Sequence, residues 1–114
     1  MATLKQLKIQ TNICRRVLKE LVSYEKEVES DSAKTANMHK SGADSHDIKQ
    51  QENVLAESKM MVPDCRKRLK EAVIKLQDNV AEAEEENRPD EQGDEIVEIK
   101  DARKLIKDVE DKLV

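Results

Sequence analysis

Residues 47–69 read DIKQQENVLAESKMMVPDCRKRL. In this stretch Ile48, Leu55, Val62 and Leu69 recur every seven residues, and Leu76 and Ala83 continue the series. Three residues after each of the first four stand Gln51, Ser58, Cys65 and Ala72. That pattern is a heptad helix with large apolar residues on one seam and small or polar ones on the other. Pro63 lies in its middle. Inside a helix it lacks an N–H and crowds the carbonyl of Lys59, at roughly 3 kcal/mol. The plain expectation is a bend in a long helix. The functional one is that the bend and the freed carbonyl shape a docking surface.

Working outward, Asp44 is placed to cap this second helix, with Asp47 three residues later at its positive end. The helix is predicted to run from about residue 45 to 86, about 60 Å at ~1.5 Å per residue. Upstream, Leu7, Cys14, Leu21 and Val28 form another seven-residue series, with Val17, Leu18 and Tyr24 between them. This predicts a first helix over about 3–38, capped by Thr3, whose seam weakens to Ala33, Ala36 and Met38. Residues 39–44 read as the turn, with Gly42 free to take positive φ. Downstream, Asn87-Arg88-Pro89-Asp90-Glu91-Gln92-Gly93 is a linker. A third helix is expected over about 94–113, with Asp94 as its cap. Its apolar face is Ile96, Ile99, Ala102, Ile106, Val109 and Leu113. Short connections turn each helix back on its predecessor. The expected fold is all-α: a single domain over 1–114, an elongated antiparallel three-helix bundle resembling a spectrin-like rod.

Composition agrees with this. Of the 114 residues 40% are charged, Tyr24 is the only aromatic, and there are two glycines and two prolines. Such a chain builds solvated helices on a thin core. Each fully buried seam residue contributes about 1.5–3 kcal/mol gross, mostly offset by chain entropy. The net charge of −4 argues against nucleic-acid binding, which needs a basic footprint. The bases of residues 1–20 and the acids of residues 82–98 read as complementary surfaces of the bundle. No apolar run approaches the ~20 residues that span a bilayer. MATLKQLKIQ lacks the apolar core of a signal peptide. A cytoplasmic protein with reduced cysteines is expected. Cys14 and Cys65 are offset by about four residues across the expected hairpin, or roughly 6 Å of rise. With the interhelix gap this exceeds the ~7 Å reach of a disulfide.

Little here carries chemistry. His39 and His46 have no partners at metal-ligand spacing. The acidic linker lacks an apolar pocket to raise a carboxyl pKa, and no phosphate loop or nucleophile motif is present. No enzyme and no cofactor are expected. What remains is a surface. Ala56, Met60, Pro63 and Lys67 share an outer strip of the second helix, with Ile74 further along and Met61 beside the core. Methionine and proline exposed on one helix face suit adaptable protein contact.

Asp47-Ile48-Lys49-Gln50-Gln51, then Glu57-Ser58-Lys59-Met60-Met61-Val62-Pro63-Asp64-Cys65 and Arg68-Leu69, resemble the tubulin-binding cofactor A family, also called tubulin-specific chaperone A. Leu7-Lys8-Ile9 and Tyr24-Glu25-Lys26-Glu27 are similar too, and the wording of residues 50–65 is most similar to plant members. The third helix and acidic linker match in character only. The resemblance implies a small three-helix protein, without catalysis or cofactor, acting after the cytosolic chaperonin. It would capture β-tubulin folding intermediates and pass them toward α/β-tubulin heterodimer assembly with the other tubulin-folding cofactors. The expected β-tubulin-binding residues are Glu25, Lys26 and Glu27 on the first helix and Lys59, Met60, Met61, Pro63, Asp64 and Lys67 on the second. A cytoskeleton-associated protein is implied, a monomer ahead of a homodimer. The alternative is a structural coiled-coil adaptor or scaffold that self-associates through the same seams.

Overall fold

The computed structural model describes residues 4–87 and 96–114, which form three α-helices: α1 (Leu4–Ser41), α2 (Ser45–Glu86) and α3 (Val97–Leu113). Among the described residues there is no strand. The all-α class expected from the heptads is therefore what forms. The chain divides into two compact units. One combines Met1–Leu18 with Lys67–Val114, and the other is Lys19–Arg66.

The first unit packs segments of all three helices. Gln77 Nε2 donates to Glu110 Oε1 at 3.0 Å, and Arg103 Nε donates to Glu84 Oε1 at 2.8 Å. Rising numbers on α2 thus meet falling numbers on α3, so the two run antiparallel. Their shared core is apolar. Leu7, Cys14 and Val17 of α1 are buried, as are Leu69, Ala72, Val73, Leu76, Val80 and Ala83 of α2, and Ile99, Ala102, Leu105 and Val109 of α3. Thr11 is buried as well, its hydroxyl satisfied by the carbonyl of Leu7 at 2.8 Å, the usual way a helical threonine hides its polar group. Leu105 is missing from the apolar face predicted for the third helix. Ile106, which was included, is only half-buried. The charge complementarity is also rearranged. Glu84 is held by Arg103 of α3. Lys8 and Arg15 of α1 share a hollow with Glu98 and Asp101.

The second unit is a two-helix hairpin. Asp31 meets Ser58 and His39 meets Glu52, which makes the pair antiparallel. Its turn is tighter than predicted. His39, Lys40 and Ser41 continue α1, so the helix ends three residues past Met38. Gly42 then takes φ +70°. Ala43 N–H returns to the Met38 carbonyl at 3.1 Å and Gly42 N–H to that of His39 at 3.3 Å. This double closure satisfies the last carbonyls of a helix and needs a residue without Cβ strain in the left-handed region. Asp44 caps α2 as expected: its carboxylate accepts from His46 N–H at 3.2 Å, and its carbonyl from Ile48 N–H at 3.0 Å. Of the other caps, Thr3 and Asp94 lie outside the described residues. Ile96 occupies the N-cap position of α3 with no side-chain bond.

This unit buries Leu21 and Cys65 completely, but the stretch between them differs in kind from the core of the first unit. Between residues 22 and 64 every buried residue is polar: Thr35, Gln51 and Ser58. Val28, Ile48, Leu55 and Val62 are only half-buried. The expected seam at Ala33 and Ala36 is exposed, and Thr35, seven residues after Val28, takes its place. Geometry explains this. Two helices cover only the line where they touch, so the flanking apolar positions need a third helix to bury them. Ser58 Oγ is satisfied by Asp31 Oδ2 at 2.6 Å and Thr35 Oγ1 by the Asp31 carbonyl at 2.8 Å. Gln51 is 7% exposed, and its Nε2 meets no acceptor among the described residues. An unsatisfied buried amide destabilises by about 1–3 kcal/mol. Gln51→Leu is therefore expected to raise stability by about 1–2 kcal/mol in urea titration. Amides of residues 28–58 should also exchange with solvent faster than those of residues 69–83, because few buried apolar contacts hold them. Equal protection, or a loss of stability in Gln51→Leu, would contradict this account of the core.

Candidate functional site

Helix α2 passes through Pro63 without interruption. Around it the hairpin unit carries two open hollows, one on each flank of the α1–α2 contact. The first has a volume of about 400 Å³ and is lined by Glu27, Val54, Glu57, Ser58, Met60 and Met61. The second has about 270 Å³ and is lined by Glu25, Val28, Lys59, Val62 and Pro63. A helix turns about 100° per residue, so Glu25 and Glu27 point some 200° apart and cannot share a face. The same step separates Lys59 from Met61. The nine residues expected to bind together therefore divide. Glu27, Met60 and Met61 line one hollow, and Glu25, Lys59 and Pro63 the other. Lys26 and Asp64 are exposed on the hairpin but line neither hollow. Lys67 is exposed and belongs to the other unit.

In the first hollow the apolar groups stand open to solvent: Met60 is 72% exposed, Val54 45% and Met61 37%. Ser58, which lines this hollow, donates its hydroxyl to Asp31, a bond that ties α2 to α1. Its charged rim is wholly acidic, Glu27 and Glu57. The second hollow has one charge of each sign, Glu25 and Lys59. Sequence reasoning missed Val54 and Glu57. The signal was present, because Val54, Glu57, Ser58 and Met61 follow the i, i+3, i+4, i+7 spacing of one helix face.

The chemistry available elsewhere is slight. Cys14 and Cys65 are buried thiols outside any disulfide. Burial pushes the Cys14 thiol above the usual thiol range, with the Arg15 charge as a smaller opposing influence. It stays protonated, and a protonated thiol is a poor nucleophile. His39 Nε2–H donates to the Glu52 carboxylate at 3.0 Å on the exposed hairpin. Among the described residues no group of three or more His, Cys, Asp and Glu side chains is arranged to hold a metal ion. Nor is any helix long and apolar enough to cross a membrane.

The chain matches the model of the family described as tubulin binding cofactor A over residues 2–106. It belongs to the tubulin binding cofactor A family. Within that family it is 54% identical to tubulin-folding cofactor A of Arabidopsis thaliana over 110 residues, which is 96% of this chain and 93% of that protein. The crystal structure of tubulin folding cofactor A from Arabidopsis thaliana superposes with a TM-score of 0.84, covering 97% of this chain and 98% of that one. A second solved structure is that of RBL2P, a β-tubulin binding post-chaperonin cofactor. It is similar at a TM-score of 0.75 and 28% identity, over 95% of this chain and 97% of that one. A plant relative at 54% identity agrees with the plant-like wording of residues 50–65.

Proposed function

We propose that this chain is a tubulin-folding cofactor that captures β-tubulin after its release from the cytosolic chaperonin and holds it for assembly with α-tubulin. The observation that carries this reading is membership of the cofactor A family together with likeness, over nearly the whole chain, to a β-tubulin binding post-chaperonin cofactor. The physical features support it. An unassembled β-tubulin exposes a surface meant for another subunit. A charged helical protein with a small apolar patch can cover that surface, keep the complex soluble, and still let go, because the contact is modest. The role calls for no catalysis and no cofactor, and it places the protein in the cytoplasm beside the microtubule-building machinery.

The test is binding of the purified chain to β-tubulin released from chaperonin, followed by sizing with light scattering. A stoichiometric complex of one chain with one β-tubulin is the expected result. A chain that forms a tight oligomer and ignores β-tubulin would overturn the reading in favour of a self-associating scaffold.

A further inference from the structure

We propose that the acidic-rimmed hollow of the hairpin unit, bounded by Val54, Met60, Met61, Glu27 and Glu57, is the docking groove, and that its occupant is a basic amphipathic helix of the partner. The proposal rests on the β-tubulin reading above and makes it specific: the contacting segment presents apolar side chains flanked by Lys or Arg.

Three observations carry it. First, the hairpin unit has only two helices. Its flanking apolar positions stay half-buried, and Val54, Met60 and Met61 stand in solvent. A groove between two antiparallel helices is the natural seat of a third, whose axis would lie about 8–10 Å from each. Helix-in-groove recognition uses such apolar anchors. Second, methionine side chains are flexible and polarisable, and adapt to a client that is not yet in its final shape. Third, the charge is one-sided. Both ionisable residues that line this hollow are glutamates, whereas the other hollow contains Glu25 and Lys59 and offers no net preference. The first unit follows the same rule internally: Lys8 and Arg15 of α1 line a hollow with Glu98 and Asp101 of its third helix. Charge across a helix interface selects the partner and its orientation more than it adds affinity. A carboxylate rim on an apolar groove therefore selects a basic helix.

Both rim glutamates are exposed, so the double substitution Glu27→Lys with Glu57→Lys leaves the core untouched. Its expected effect is at least a tenfold loss of affinity for β-tubulin released from chaperonin, with an unchanged circular dichroism spectrum. The isosteric pair Glu27→Gln with Glu57→Gln is expected to flatten the dependence of affinity on salt, since it removes charge without changing shape. Glu25→Lys, in the other hollow, is expected to stay within about threefold of wild type. A benzophenone side chain placed at position 60 is expected to cross-link to a helical segment of β-tubulin rich in Lys or Arg. Cross-linking to an acidic segment or a loop would overturn the proposal. So would normal capture by the folded lysine variant, or a wild-type dimer in solution that the lysine pair dissociates. In each of these cases wild-type capture still upholds the β-tubulin reading, whereas loss of wild-type capture removes that reading itself.

Discussion

Leu76→Ala is expected to lower the stability of the protein by about 3–5 kcal/mol, a large share of what a domain of this size possesses. Leu76 is 0% exposed in the first unit. It lies on the α2 face that also buries Leu69, Ala72, Val73, Val80 and Ala83, and α3 brings Ile99, Ala102, Leu105 and Val109 to the same core. The core contains no aromatic ring, so few neighbours are large enough to collapse into the space that a missing isobutyl group leaves. The cavity term should accordingly sit in the upper part of its range. Urea unfolding followed by far-ultraviolet circular dichroism measures it as a lower midpoint at unchanged slope. Leu55→Ala is the internal contrast. It belongs to the same heptad series but is half-buried in the hairpin, and it should cost clearly less. Equal costs would mean that the two units are cored alike, against the burial seen here.

Pro63→Ala is expected to stabilise the protein, by about 1–3 kcal/mol. In α2 the proline offers no N–H to the carbonyl of Lys59, and its ring crowds that carbonyl. Alanine restores the bond and has the best helix propensity. Part of the gain is offset because proline also restricts the unfolded chain, an effect of about 0.4–1 kcal/mol in the other direction. Pro63 is exposed and sits on the hollow with Glu25, Val28, Lys59 and Val62, so the change removes no core contact. Thermal unfolding should show the rise, and amide exchange around residues 62–67 should slow with it. Capture of β-tubulin is expected to stay as in wild type, because the proline lines the hollow away from Met61. A fall in capture would place the client on the proline side. A fall in stability would mean that the neighbouring turns rely on the proline geometry.

These two residues show how far the linear pattern could be read. The heptad from Leu69 to Ala83 told which side chains are buried in the first unit, because three helices enclose the seam that the spacing defines. From Ile48 to Val62 the same heptad marked two seams, and only the one with small or polar residues is buried: Gln51 and Ser58 are covered, while Ile48, Leu55 and Val62 are half-buried. A seven-residue repeat gives a face and not the number of helices that cover it. The predicted binding set failed to stay together for a related reason. Glu25, Lys26 and Glu27 are neighbours in sequence but point around the helix in different directions, and only the position of α2 shows which flank Glu25 and Glu27 join and that Lys26 lines neither hollow.

The sequence by itself determined the helical class, the three helices and their approximate ends, the cap at Asp44, the glycine in the turn and the family, because these follow from periods, local hydrogen bonding and a distinctive run of residues. Tertiary structure alone decided that, between residues 22 and 64, the hairpin buries only polar side chains. It also decided that Ser58 and Asp31 are joined, and that Met60 and Met61 stand beside Glu27 and Glu57. Such pairings depend on how two helices are rotated and slid against each other, and the periodicity of a single helix does not contain that information.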